Sequence, residues 1–142
     1  MSGQQSITEF LEARIAEDER VARDATQGRW EVVPTRGDQP KVQEVGRDAW
    51  LAITSSDPGV PRDANAQHIA RHDPARVLAE CAAKRAILEH ANKATEVEKE
   101  FDDYEWQGTV ERSEPWIGDA ILLALAAVYK DHPDYREEWS VA

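Results

Sequence analysis

His68, His72 and His132 carry the clearest metal-like spacing in the chain. His68 and His72 stand four residues apart, so on one helix their imidazoles would share a face within reach of a single ion. His132, with Asp131 or Asp134 beside it, could complete such a site. The local sequence argues for a plainer role. Asp73-Pro74 follows His72, and the residue before a proline is pushed out of helical geometry. The histidines then mark a helix junction, with imidazoles bonded to backbone groups. No Cys-x-x-Cys or His-Glu-x-x-His pattern supports a metal. Cys81 is the single cysteine and falls on an apolar stripe, where a lone thiol is packing rather than a nucleophile. The glycines are isolated, no serine sits in a nucleophile elbow, and no carboxylate pair is marked out for acid–base work. The expectation is a protein that is not an enzyme and holds no cofactor.

A second constellation points to binding. From Glu96 to Glu114 there are eight acids and two bases, with Phe101, Tyr104 and Trp106 interleaved. An acidic stretch with aromatic anchors suits a basic patch on another protein, and the residues expected to make that contact are Phe101, Asp102, Asp103, Tyr104 and Trp106. The alternative is a solvated helix end whose aromatics fold back onto the core. The whole chain is acidic, with a net charge of −11 over 142 residues. That disfavours direct nucleic-acid binding, which is driven by neutralising phosphates. One cysteine excludes an internal disulfide and fits a reducing compartment. The start of the chain lacks a basic region followed by an apolar run, and the longest apolar-rich run, Ile117 to Tyr129, is too short for a membrane span. A cytoplasmic location is expected, with no membrane contact.

These side chains need elements to hold them. Ser6 and Glu9 form a capping box ahead of Ile7, Phe10, Leu11, Ile15, Ala22 and Ala25 at near-helical spacing, and Gly28 ends that element. Trp30 to Val33, Val42 to Val45 and Trp50 to Thr54 read as three short strands in a meander, separated by turn-rich clusters. A short helix follows from about Ala64 to Arg71. Asp73 as N-cap and Pro74 at the first helical position then open a long one. Run unbroken to Glu105 it would span ~48 Å, so it either breaks near Asn92 to Thr95 or projects its far end, where Val97, Phe101 and Tyr104 would want a partner. The last helix, Trp116 to Lys130, is apolar around nearly its whole circumference, which places it centrally in a core or in an oligomer interface. A homodimer is expected on that ground. Trp30, Trp50 and Trp116 are assigned mainly to the core, and Trp106 and Trp139 to more exposed places. The tail from Asp131 to Trp139 is expected to dock on the His68 to Arg76 junction. The fold class is α+β, a single domain over residues 1–142: an N-terminal helix, a small three-stranded antiparallel meander, a short helix, a long helix and an apolar C-terminal helix.

Three stretches carry a resemblance: Ala25-Thr26-Gln27-Gly28-Arg29-Trp30, His68 through Glu80, and Asp131-His132-Pro133-Asp134-Tyr135-Arg136-Glu137-Glu138-Trp139. With Lys84-Arg85 and Ile87-Leu88 they resemble an uncharacterised family of small proteins, a domain of unknown function, from actinobacteria and their phages. The first two also resemble a more distant group of phage accessory proteins. The resemblance implies a phage or mobile-element setting and no particular site. The leading expectation is therefore a non-enzymatic accessory protein that binds a host protein bearing a basic patch. The alternatives are a small metal-binding protein or metal-assisted enzyme using the histidines, and a small-ligand protein with a pocket between sheet and helices.

Overall fold

Ser6 and Glu9 close the capping box that their spacing predicts. The Glu9 amide donates to Ser6 Oγ at 3.1 Å, and the Ser6 amide donates to Glu9 Oε2 at 3.2 Å. In this computed structural model, which describes residues 4–34, 39–55, 57–105 and 114–140, that box opens helix α1, Ile7–Asp24. Strands β1 (Trp30–Val33), β2 (Lys41–Glu44) and β3 (Trp50–Ile53) follow, then α2 (Arg62–Arg71), α3 (Pro74–Glu105) and α4 (Ile117–Ala126). Two short 3₁₀ turns, Ala127–Tyr129 and Glu137–Trp139, lie beyond α4. The expected α+β order of helix, meander and helices is the observed one.

The chain divides into two compact units, Met1–Ala16 with Ala82–Ala142, and Glu17–Cys81. In the second unit the sheet runs in the order β1-β2-β3, both pairings antiparallel, with a register shift at Val42/Gln43. Val42 is fully buried against Ala66 and Ala70 of α2, with Trp30, Val32, Ala52 and Ile69 around them. Small residues on α2 let the helix lie close on the sheet. Gly28 takes a φ of +100° just before β1. That left-handed backbone selects glycine. Asp73 caps α3 as its type predicts: Oδ1 accepts from the Arg76 amide at 3.0 Å, and Oδ2 accepts from the Trp30 amide at 3.3 Å. One carboxylate thus ties the helix start to β1.

The first unit is built around Phe10. Phe10, Leu11, Leu88, Ala91, Leu122, Ala126 and Trp139 form its buried cluster. The Phe10 ring lies 5.0 Å from Trp139, 5.8 Å from His132, 6.1 Å from Tyr135 and 6.3 Å from Tyr129, centroid to centroid. Edge-on and tilted packing of this kind adds to area burial. The tail is therefore held by aromatics, as expected, but its partners are α1 and α4. The His68 to Arg76 junction proposed from sequence belongs to the other unit. The tryptophan assignment also changes. Trp139 is 7% exposed and belongs to the core, while Trp50 is 57% exposed, with Lys41 Nζ 3.0 Å from its ring centroid. Trp50 lies on the edge strand β3, paired with Gln43, and is not part of the cluster packed against α2. Trp106 lies outside the described residues.

Helix α3 is continuous from Pro74 to Glu105, so of the two alternatives the break near Asn92 to Thr95 is not the one taken. Asn92, Lys93, Ala94 and Thr95 are tolerable helix residues, and Ala91 and Thr95 are buried against α4. Packing thus holds the helix together where propensity alone left a choice.

Candidate functional site

The face of α3 used for the core is narrow. Cys81, Leu88, Ala91 and Thr95 are buried, and at 3.6 residues per turn they fall within a quarter of the circumference. About a third of a turn away lies a second sector of the same helix, formed by Ala83, Ala86, Ile87, His90, Ala94, Val97 and Phe101. It carries no Asp, Glu, Lys or Arg, although the same stretch of helix holds Lys84, Arg85, Glu89, Lys93, Glu96, Glu98, Lys99 and Glu100 on its other sides. The spacing through Ala83, Ile87, His90, Ala94, Val97 and Phe101 alternates four and three, the pattern of a helix–helix seam.

Helix α4 repeats the arrangement. Gly118, Leu122 and Ala126 are buried, while Ile117, Ala120, Ile121 and Ala124, continued by Val128, form a charge-free exposed row whose two alanines also border a cleft beside Tyr135 and Trp139. Two hydrogen bonds set α4 against α3 at one end: the Ile117 amide donates to Glu98 Oε2 at 2.7 Å, and Thr95 Oγ1 donates to Asp119 Oδ1 at 3.4 Å. At the other end Lys84 Nζ donates to the Tyr129 hydroxyl at 3.1 Å. The two helices are therefore antiparallel. On each, the charge-free row lies about a third of a turn from the shared contact, in the same rotational sense. In an antiparallel pair, equal rotations point to the same side. The two rows thus lie on the same side of the hairpin, with Glu98 at the seam between them.

Six large side chains stand on this surface: Ile87, Val97, Phe101, Ile117, Ile121 and Val128, each between 38% and 67% exposed. Gly118 brings the helices close enough to join them, because a methyl group there would overlap the Ala91 carbonyl and Thr95 Oγ1. Phe101, expected as an anchor, is the most exposed of the six. Asp102 flanks it and is partly buried. Asp103 and Tyr104 lie on the last turn of α3, their side chains outside the described residues, as is Trp106. Phe101 thus shares a side of the hairpin with α4 residues that sequence reading assigned only to a generally apolar helix. The signal was available in the four-and-three spacing, which the charged neighbours on α3 obscure.

The histidines have local roles. His68 and His72 stack with centroids 4.4 Å apart, and His72 Nδ1 donates to the His68 carbonyl at 2.7 Å. This is the helix-junction role that the plainer reading assigns. In the other unit, Arg14 Nη1 and the Asp134 amide both donate to His132 Nδ1, at 2.7 and 3.0 Å. That nitrogen is taken up in holding the tail to α1. Among the described residues no group of three or more His, Cys, Asp or Glu could hold a metal ion. Cys81 is buried and forms no disulfide.

A cleft of about 430 Å³ lies in the second unit, between β1 and the α2–α3 junction. Arg29, Arg71 and Arg76 line it beside Trp30, with Glu31 and Asp73 among them, over Val32 and Ala70. Asp73 there is already bonded to two backbone amides, and Arg76 Nε donates to Glu80 at 2.9 Å.

Architecture and surface together define a small α+β protein with an apolar two-helix face. The chain belongs to the family of unknown function DUF6221, whose match covers residues 4–141. No curated protein and no solved structure matches it. Among the described residues, no helix is long and apolar enough to cross a membrane.

Proposed function

We propose that this protein acts by binding another protein chain, without catalysis, and that the α3–α4 face is its working surface. One observation carries the reading: six large apolar side chains stand exposed along two helix rows that themselves hold no charge, on a chain of net charge −11. An apolar patch at the upper end of what a monomer exposes is often a contact site. The accessory role in a phage or mobile-element setting, in the cytoplasm and directed at a host protein, is part of the proposal and is supported by the resemblance of the three sequence stretches. A host partner with a basic patch would meet the acidic surface around the face rather than the face itself, which offers no charge to pair.

Co-expression of tagged and untagged copies, followed by affinity capture, tests the reading. Wild-type protein is expected to retain at least one protein, of host origin or the untagged copy, that the Ile121→Glu variant loses. Identical retained proteins for the two would remove the face from the proposal.

A second reading is favoured by the cleft of the second unit. Three arginines beside an indole suit a small anionic ligand with a planar ring. Native mass spectrometry of the purified chain would show such a ligand as a discrete added mass that Arg71→Ala removes.

A further inference from the structure

We propose that the α3–α4 face is covered by a second copy of this chain, the two hairpins closing into a four-helix arrangement about a two-fold axis. The inference rests on the interaction reading above and names the occupant of the same surface.

Area is the first argument. The six large side chains leave on the order of 600 Å² open, and the alanines between them add to it, against about 800 Å² per partner in a standard interface. The patch is thus close to what one stable contact needs.

Shape is the second. Along α4, Ile117, Ile121 and Val128 alternate with Ala120 and Ala124. Along α3, Ala94 stands between Ile87 and Val97. Large and small side chains are interleaved on the same surface, so it offers both knobs and holes. A two-fold axis places the same patch on both sides of an interface, each residue meeting the mate of its counterpart. An antiparallel helix pair with one apolar side is closed most simply by another such pair.

Charge is the third. A second copy also carries −11, so its approach is opposed at long range. That repulsion is screened beyond ~8 Å at physiological salt, and at contact the two rows themselves hold no like charges to bury. The two rows hold no carboxylate, and Glu98 at the seam between them is already bonded to the Ile117 amide. A basic protein partner would gain nothing here from its own charge. The salt dependences of the two occupants therefore have opposite signs. Association of two acidic copies tightens as salt rises, whereas docking of a basic partner weakens.

Sedimentation of the purified full chain from 10 to 200 µM, at 50 and 500 mM NaCl, tests this. The expected result is a concentration-dependent species of twice the 16.0 kDa chain mass, tighter at the higher salt. Val97→Glu and Ile121→Glu should each weaken it by more than about 100-fold, since each puts an unpaired carboxylate into the apolar contact twice over. Both positions are exposed, so circular dichroism of the variants should match wild type. Val21→Glu, exposed on α1, should leave association unchanged. A 16 kDa species at 200 µM overturns the dimer. So does a dimer indifferent to both substitutions, or one that loosens as salt rises. A monomer that still loses a captured protein on Ile121→Glu would leave the interaction reading standing with a different occupant. A monomer that loses none would end both.

Discussion

Phe10 and Phe101 belong to the same compact unit, each on a helix and each next to carboxylates, Glu9 for one and Glu100 and Asp102 for the other. Phe10 is fully buried and Phe101 is two-thirds exposed. The difference is in what the rest of the chain supplies. The tail returns to α1 and lays Tyr135 and Trp139 over Phe10, while Arg14 pins His132 alongside at 2.7 Å. Arg136 adds a bond to the Gln5 carbonyl at 3.3 Å, joining the tail to the residues just before α1. On the other side of the hairpin, the apolar row that contains Phe101 stays open. Apolar spacing therefore marks a face that must be covered, and only tertiary structure says whether the same chain covers it.

The largest effect should follow from removing the covered side. Phe10→Ala deletes the ring at the centre of four aromatic neighbours and is expected to cost about 3–5 kcal/mol. Cutting the chain after Lys130 exposes the same ring from the other direction and should destabilise to a similar degree. Urea unfolding of both variants measures this. A loss under about 1 kcal/mol for either would mean that the tail does not close this side.

A smaller effect is expected where the two sides meet. Gly118 sits at the α3–α4 crossing with the Ala91 carbonyl and Thr95 Oγ1 in the space a methyl group would occupy. Gly118→Ala must push the helices apart, and overpacking of this kind costs about 1–3 kcal/mol. Helix propensity alone would have favoured alanine by up to ~1 kcal/mol. The sign of the measured change therefore decides whether the close crossing exists in solution: stabilisation would break the comparison.

Much of the framework was legible from residue types. Ser6 and Glu9, Asp73-Pro74 and the turn clusters around the strands each signal a boundary locally, and each boundary is where the chemistry of that residue puts it. The seam on α3 was harder to read, because a helix with two apolar faces and many charges averages to a weak periodicity. Its continuity with α4 depends on the antiparallel pairing, which no local signal records. The tail was read correctly as needing apolar cover and wrongly as to its source. Tyr135 and Trp139 show that a face exists, but Phe10 lies well over a hundred positions earlier. The tryptophans misled for the same reason: residue type alone does not separate Trp50 on a sheet margin from Trp139 under a helix.

The smallest expected change is at Phe101, and it tests the open side by what does not happen. Phe101→Ser removes as large a ring as Phe10→Ala does, but from a position already two-thirds in water. Surface substitutions of this kind fall within about 0.5 kcal/mol of zero. At 1 µM, where self-association is weakest, the variant and wild type should therefore unfold together. The contrast appears on raising the concentration. If copies associate through this face, the wild-type melting temperature rises with concentration, since only the folded chain is bound. That of Phe101→Ser should rise much less. Differential scanning calorimetry at 1 and 200 µM reads both statements in one series. A loss of more than about 2 kcal/mol at 1 µM would place Phe101 in a core like that of Phe10, and the two sides of the unit would no longer differ.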